Sequence, residues 1–213
     1  MLKRFFKKIG ISYKRARRSI FKDSKWKNYW NKVAQIKMVK NNVDNGLCEL
    51  YYFDESGFSM NSNIAYTWSE IGKPLKVPSD RWGKRLNVLG FLNTKNKDLF
   101  FETVEGKVDS QIVINLFNKF ANQLKKNTIV ILDNASIHRS KLFKNNIEKW
   151  KEQGLFLLYL PPYSPELNLI EILWREVKYR WIDIKAYKSL ENMSIHVINI
   201  LNNFGKKYDI KFV

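Results

Sequence analysis

The feature that most constrains this sequence is an apolar run that stops at an acid. Residues 129–132 (IVIL) are followed at once by Asp133 within the segment TIVILDNA, residues 128–135. A short β-branched run of this kind is typical of a strand buried on both faces, as in a parallel sheet covered by helices. The residue just past such a strand lies at its carboxyl end, where ligands and chemistry collect in open α/β sheets. Asp133 is therefore the first candidate site residue.

Two further acids stand where they could join Asp133. The predicted strand 49–53 (ELYYF) runs into Asp54 in the same way, and Glu171 lies in the segment 160–174, LPPYSPELNLIEILW. Cleavage of a phosphodiester needs an activated water or hydroxyl and a stabilised leaving oxygen. Two divalent cations about 3.5–4 Å apart supply both, and carboxylate oxygens hold them. We expect Asp54 to bridge two Mg²⁺ ions, with Mn²⁺ as a substitute, while Asp133 and Glu171 each hold one.

Each acid also has an ordinary structural interpretation. A single Asp after a strand is as often a turn or helix cap. Glu171 in the first turn of a helix also suits the helix dipole, and the nearby Glu166 competes with it as a candidate. After the second Asp, Asn134 and His138 either orient a scissile phosphate or serve the turn and the next helix. From the residues alone these alternatives stay open.

The remaining pattern alternates strands and helices. Strands are predicted at 49–53, 64–68, 85–92, 128–132 and 155–160, with a weaker and possibly separate one at 99–104. Helices are predicted at 110–126 with Ser110 as cap, at 140–153 ended by Gly154, and at 168–182. This order favours an α/β fold, a five-stranded mixed sheet with helices on both faces.

Charge predicts a polyanionic partner. The formal net charge is +18, and residues 1–40 hold fourteen basic residues against one acid, Asp23. Such blocks bind phosphates through charge and counterion release. We expect DNA contacts from Lys14, Arg15, Arg17 and Arg18, and from Arg81, Lys84 and Arg85 beside Trp82. The alternative is a solvated helix face whose aromatic side packs, and both can hold together.

Composition and turn residues bound the organisation of the chain. The turn-rich segment 41–46 (NNVDNG) predicts a basic helical segment over 1–44 and a catalytic domain over 45–213. One cysteine excludes an intramolecular disulfide framework and a Cys-based zinc cluster. No apolar run approaches the roughly 18 residues that span a bilayer. We expect a cytoplasmic, nucleoid-associated protein.

Three segments together resemble the signature blocks of the mariner-type superfamily of DDE transposases, in its bacterial insertion-sequence branch. The segments are FDESGFS (53–59), ILDNASIH (131–138) and LPPYSPELNLIEILW (160–174). In that family the three acids are the Asp of the first block, the Asp before Asn in the second and the Glu after Asn-x-Ile in the third. The resemblance implies Asp54, Asp133 and Glu171 as catalytic, metal-binding residues, and it favours Glu171 over Glu166.

The resemblance also implies a fold and partners. It implies a ribonuclease H-like catalytic domain that cleaves DNA at the terminal inverted repeats of an element. The exposed 3′ hydroxyls would then join target DNA, at TA dinucleotides, without a covalent protein–DNA intermediate. We expect a homodimer on double-stranded DNA. Relatives carry paired helix-turn-helix units in front, whereas this chain begins at what resembles the end of the second unit, residues 10–19. We expect a second reading frame joined by frameshifting, or a truncated copy.

Two other functions fit parts of the pattern. A ribonuclease H-type or repair nuclease on the same sheet would hydrolyse RNA–DNA hybrids without joining strands. A non-catalytic DNA-binding element product would bind DNA in a salt-sensitive way and form no Mg²⁺-dependent product.

Overall fold

The centre of the fold is a five-stranded mixed sheet. A computed structural model describes residues 2–10, 23–60, 68–74, 76–77, 85–162 and 164–212. The strands are β1 (Glu49–Ser59), β2 (Arg85–Leu92), β3 (Leu99–Glu105), β4 (Thr128–Leu132) and β5 (Leu155–Tyr159). Their order is β3-β2-β1-β4-β5, antiparallel from β3 to β1 and parallel from β1 to β5. The predicted five-stranded mixed sheet is confirmed, and β1 lies beside β4 at its centre.

Helices precede, connect and follow the strands. They are α1 (Leu2–Lys8), α2 (Asp23–Asp44), α3 (Ser110–Asn122), α4 (Lys141–Lys144), α5 (Ile147–Glu152), α6 (Ile170–Glu176) and α7 (Leu190–Asn202). Short 3₁₀ turns lie at Pro165–Leu167 and Ile184–Lys188, and a π-helical turn covers Val177–Trp181. None of the helices in the described ranges is both long and apolar enough to span a bilayer.

Apolar side chains cover both faces of the sheet. Successive residues of a strand point to opposite faces, and β1 divides accordingly. Tyr52 and Phe58 pack with α6, α7 and Ile36 of α2, whereas Tyr51 and Phe53 pack with α3, α4 and α5. The prediction of helices on both faces is therefore confirmed.

Two strands differ from the sequence prediction. β1 does not end at Phe53 but continues to Ser59, because antiparallel pairing with β2 extends from Tyr52–Leu92 to Ser59–Arg85. A weaker and possibly separate strand was predicted over 99–104, and the structure has β3 there, paired with β2 along its whole length. The predicted strand 64–68 lies outside the described residues except for Trp68, which is not in a strand.

The helices differ at their ends and in one interior. α3 is capped by Asp109, whose carboxylate accepts the Ile112 N–H at 2.9 Å, and not by Ser110. The predicted helix 140–153 is broken at Asn145 and Asn146 into α4 and α5. An Asn side chain competes for backbone hydrogen bonds, and Asn146 donates to the Leu142 carbonyl at 2.9 Å.

The helix predicted over 168–182 is α-helical only to Glu176. From Val177 to Trp181 it widens into a π-helical turn, a feature frequent at functional sites. At the other end of the chain, α2 ends at Asp44 and buries Ile36 in the same apolar cluster as β1. A division of the chain into two domains at residue 44 stays a prediction.

Candidate active site

Three acids from separate elements line one open cleft. Asp54 comes from β1, Asp133 follows β4, and Glu171 lies in the first turn of α6. The cleft is bounded by the loop 160–168, with Leu160, Pro161 and Asn168 among its walls. The structure thus brings together the three acids that the sequence singled out.

Sheet register places the first two acids side by side. β1 and β4 pair in parallel from Glu49–Thr128 to Tyr52–Ile131. Two residues further along each chain, this register brings Asp54 opposite Asp133. The sequence predicted that Asp54 lies just past the end of its strand, and this prediction is wrong. β2 continues to pair with β1 there and sets Gly90 opposite Asp54.

A glycine in β2 lets the third acid approach. A Cβ at Gly90 would lie 3.1 Å from Cη2 of Trp174, which is closer than side chains normally pack. Trp174 and Ile170 of α6 are buried against the sheet. The absence of a side chain at Gly90 therefore allows α6 to pack closely on β2, opposite Asp54. Glu171, in the first turn of α6, then lies at the same cleft as Asp54.

The three carboxylates influence one another electrostatically. Burial, followed by the charges of Glu171 and Asp133, raises the pKa of Asp54 to about 8. Partial burial also raises the pKa of Glu171, although the residue stays exposed to solvent. The positive charge of Lys178 lowers this pKa and so opposes the shift. Accumulated negative charge of this kind favours a bound cation or proton.

Asp133 has a different environment, set by a buried histidine. His138 is 2% exposed and donates from Nδ1 to Oδ1 of Asp133 at 2.8 Å. This hydrogen bond is the main cause that lowers the pKa of Asp133. On the other side of the ring, Nε2 lies 3.5 Å from Oε1 of Glu55. His138 does not cap the next helix, since Ser140 accepts the Phe143 N–H.

The two acids beside His138 favour its protonated form. Burial by itself would lower the pKa of His138, but the hydrogen bond to Asp133 and the nearby carboxylate of Glu55 outweigh it and raise the value to about 9. Its ring packs on Phe53 and Phe143, each 5.6 Å away between centroids. The sequence did not identify Glu55 as part of this group, since the contact joins residues 83 positions apart in the sequence. Its position directly after Asp54 in β1 is the one available signal.

Two asparagine side chains tie the acid-bearing segments together. Asn134 donates to the carbonyl of Leu160, where the loop bounding the cleft begins. Asn168 donates to the carbonyl of Phe53 at 3.0 Å, next to Asp54. The bond of Asn134 reaches a segment 26 positions away in the sequence, so it is not the turn hydrogen bond that the sequence offered as an alternative. Contact of Asn134 with a phosphate stays a prediction. The sequence did not lead to Asn168 as a site residue. Its position three residues before Glu171 was the signal that could have identified it.

Glu166, the competing acid, lies elsewhere. It is exposed in the 3₁₀ turn Pro165–Leu167 and accepts a hydrogen bond from Tyr29 of α2. Burial and then this carboxylate raise the pKa of Tyr29. Glu171, and not Glu166, lines the cleft.

Basic side chains surround the acids. Arg139 lines the cleft, and Lys178 on the π-helical turn interacts with both Glu171 and Asp54. Arg85, one of the residues predicted to contact DNA, lies across Gly57 of β1 at the start of β2. The other predicted DNA contacts, Lys14, Arg15, Arg17, Arg18, Arg81 and Lys84, lie outside the described residues.

The donor chemistry of the cleft suits a hard divalent cation, because carboxylate oxygens are the ligands that Mg²⁺ and Mn²⁺ prefer. The raised pKa of Asp54 marks a concentration of negative charge that such an ion would neutralise. Across the described ranges, no group of three His, Cys, Asp or Glu side chains is already gathered so that it could hold an ion. The residues therefore fit a metal by type and location, and their carboxylates would have to draw together around it.

The sequence is similar to those of known proteins. Residues 49–194 match the family model described as DDE superfamily endonuclease. The Tc3 transposase of Caenorhabditis elegans is 28% identical over 153 residues, which is 68% of this chain and 45% of that protein. The uncharacterized protein y4pE/y4sA of Sinorhizobium fredii is 29% identical over 68 residues, 32% of this chain and 46% of that protein. The chain thus spans about half the length of the curated relatives it matches.

Solved structures share its fold. The Mos1 strand transfer complex aligns with a TM-score of 0.58 and 15% identity, over 95% of this chain and 66% of that chain. The mariner Mos1 paired-end complex with Mg aligns with a TM-score of 0.59 and 14% identity, over 91% and 61%. The fold is therefore ribonuclease H-like, as the resemblance implied. Because the family match extends over most of the chain and includes all three acids, this chain belongs to the DDE superfamily of endonucleases.

Proposed function

We propose that this chain is the catalytic part of a DNA transposase. It would hydrolyse phosphodiesters at the ends of a mobile element and join the exposed 3′ hydroxyls to target DNA. The observation that carries the proposal is that Asp54, Asp133 and Glu171 line one cleft inside the span of the DDE family match. The similarity to Tc3 transposase and the fold shared with Mos1 transposase support it.

Asp54, Asp133 and Glu171 would hold two Mg²⁺ ions, with Mn²⁺ as a substitute. The Mos1 paired-end complexes with Mg and with Mn support the use of a divalent metal. Bound there, two such ions would supply an activated attacking oxygen and stabilise the leaving one. We propose all three acids as the ligands that would hold these ions.

The chain's own groups would orient the acids and the DNA. His138 holds one oxygen of Asp133, which leaves the other carboxylate oxygen to face the cleft. Arg139, Lys178 and Arg85 place positive charge around the acids, where DNA phosphates would otherwise be repelled. Leu160 and Pro161 form an apolar part of the wall beside the acids.

The partners we propose are the terminal inverted repeats of the element and a target DNA, at TA dinucleotides, bound by a homodimer in the cytoplasmic nucleoid. The solved Mos1 complexes are a strand transfer complex and paired-end complexes, which supports DNA ends and target as partners. The excess of positive charge supports a polyanion. Lys14, Arg15, Arg17, Arg18, Arg81 and Lys84 remain proposed DNA contacts, together with Arg85.

The test uses a plasmid that carries the gene with its flanking DNA as substrate for the full chain. We expect nicking and strand joining that require Mg²⁺ and are lost when Asp133→Asn removes a carboxylate. Glu152→Gln is the matched control, because Glu152 is an exposed acid at the end of α5. It should cleave like the wild type.

Other outcomes would assign the chain elsewhere. Hydrolysis of an RNA–DNA hybrid without any joined product would indicate a ribonuclease H-type nuclease. Salt-sensitive binding of the plasmid with no Mg²⁺-dependent product would indicate a DNA-binding element product without catalysis. Full cleavage by Asp133→Asn would show that Asp133 is not needed for the reaction, and the proposed site of three acids would be wrong.

A further inference from the structure

One buried side chain connects the strand of Asp54 to the helix of Glu171. Asn168 is 2% exposed, and its Nδ2 donates to the carbonyl of Phe53 at 3.0 Å. Its own backbone carbonyl accepts the N–H of Glu171 at 3.1 Å. The peptide group before Asp54 and the first turn that carries Glu171 are therefore held by the same residue.

The other end of this amide is left without a partner. Oδ1 of Asn168 is buried and accepts no hydrogen bond among the residues that the structure describes. A leucine of similar size would avoid this cost, since an unpaired buried acceptor is unfavourable. Departures from local rules of this kind concentrate at functional sites. The donation to Phe53 is thus the contribution that distinguishes Asn168 from an apolar residue.

Other contacts between α6 and the sheet do not fix the position so closely. Trp174 packs over Gly90 and Ile170 is fully buried, and apolar packing of this type is not directional. The acids line one cleft without a ready-made group of ligands in the described part of the chain. A directional bond between the two elements therefore controls how near the carboxylates of Asp54 and Glu171 can come.

We propose that Asn168 is a positioning residue for the metal site, and that its amide sets the separation of Glu171 from Asp54. This inference rests on the proposed function, because it concerns the affinity of those acids for divalent ions. Asn168 touches neither the substrate nor the ion in this role. Its effect passes through the backbone of β1 and the first turn of α6.

Asn87 provides a matched control, which distinguishes an effect on the position of Glu171 from an effect on the stability of the fold. Asn87 of β2 is 4% exposed, and its Nδ2 also donates to a backbone carbonyl, that of Gly106. It is not among the residues that line the cleft of the three acids. Asn87→Leu therefore removes a buried amide hydrogen bond of the same type from the same sheet.

The experiment measures Mn²⁺ binding to the full chain by titration calorimetry without DNA, together with the thermal unfolding midpoint. We expect Asn168→Leu to raise the dissociation constant for Mn²⁺ about 10-fold or more, as for losses of groups that orient metal ligands. Asn87→Leu should leave Mn²⁺ affinity at the wild-type value even if it unfolds at a lower temperature. Asn168→Met serves as a second variant, since it is of similar size and also lacks the amide donor.

Each outcome decides the matter. Wild-type Mn²⁺ affinity in either folded Asn168 variant would overturn the inference while leaving the proposed function intact. An equal loss of affinity in Asn87→Leu would overturn it as well. If the wild type binds no Mn²⁺, or Asp54→Asn binds it equally well, the proposed metal function fails and the inference with it.

Discussion

At the scale of single residues, the candidate site carries charge that the protein alone does not balance. Burial and two neighbouring carboxylates raise the pKa of Asp54 to about 8. One pKa unit corresponds to about 1.4 kcal/mol of differential interaction between protonation states. Ionised Asp54 is thus unfavourable for folding when no cation is bound, which is the usual conflict between function and stability at an active site.

The first prediction is that Asp54→Asn stabilises the metal-free protein as pH rises. The folded carboxyl, with its raised pKa, keeps its proton between about pH 4 and pH 8, whereas the unfolded carboxyl loses it. The stability of the wild type therefore falls over that interval, and Asn does not titrate. We expect the advantage of Asp54→Asn in the free energy of unfolding to grow between pH 5 and pH 8, by at most a few kcal/mol.

Urea unfolding in the presence of a chelator measures this difference. Glu152→Gln, which removes an exposed acid from the end of α5, serves as the control and should show no such growth. A constant difference between Asp54→Asn and the wild type across the pH range would contradict the prediction.

The second prediction concerns the histidine behind Asp133. His138→Phe fits the aromatic contacts to Phe53 and Phe143 but removes the hydrogen bond to Asp133. We expect the initial rate of Mg²⁺-dependent plasmid nicking to fall about 10- to 100-fold, because Asp133 is no longer oriented. His196→Phe, on the half-buried face of α7, should nick at the wild-type rate. Unchanged nicking by His138→Phe would show that Asp133 needs no such support.

At the scale of elements, the position of α6 depends on the absence of a side chain in β2. The third prediction is that Gly90→Ala destabilises the fold by about 1–3 kcal/mol, the usual effect of overpacking. The new methyl would lie 3.1 Å from Cη2 of Trp174 and push α6 outward. Because α6 carries Glu171, we also expect weaker Mn²⁺ binding. Denaturant unfolding and calorimetry measure the two effects.

A second substitution checks the cause. Trp174→Phe shortens the side chain that meets the new methyl, so the double variant should recover part of the stability that Gly90→Ala loses. If the losses of the two single variants simply add, the contact between β2 and α6 is not the reason for the destabilisation.

Elements with a strong local pattern could be predicted, and those decided by distant pairing could not. The apolar run of β4 defines that strand by itself, with the same bounds in sequence and structure. β1 continues through Asp54, Glu55 and Gly57, residues depleted in strands, because β2 pairs with them. Neither the π-helical turn after Glu176 nor the break at Asn145–Asn146 has a periodic sequence pattern from which it could be predicted.

The same distinction applies to the candidate site. Asp54 and Asp133 were identified because each follows an apolar run, whereas the choice of Glu171 over Glu166 came from the resemblance of its segment to a family signature. The contact of His138 with Glu55 and the bond from Asn168 to Phe53 join residues 83 and 115 positions apart in the sequence. Such contacts follow from register and from loop geometry, which local patterns do not contain.

At the scale of the whole molecule, an acidic cleft sits in a strongly basic chain. The net charge is +18, yet three acids line one cleft, one from the interior of β1, one just after β4 and one from the first turn of α6. Arg139 and Lys178 flank them. A polyanion attracted by the general charge would be repelled by these acids where metal ions are proposed, and the flanking cations Arg139 and Lys178 would offset that repulsion and guide it past the acids.

The last prediction tests that guidance through the salt dependence of DNA binding. Each protein–phosphate contact contributes about −0.9 to the slope of log K against log salt concentration. The double variant Arg139→Gln with Lys178→Gln should therefore reduce the magnitude of the slope by about 1 to 2, measured by fluorescence anisotropy with a duplex of the element end. Lys125→Gln is the control, since Lys125 precedes β4 at the opposite end of the sheet and is exposed. If Lys125→Gln changes the slope as much as either flanking cation does, the basic charge acts through the molecule as a whole, and Arg139 and Lys178 do not mark the path of the DNA.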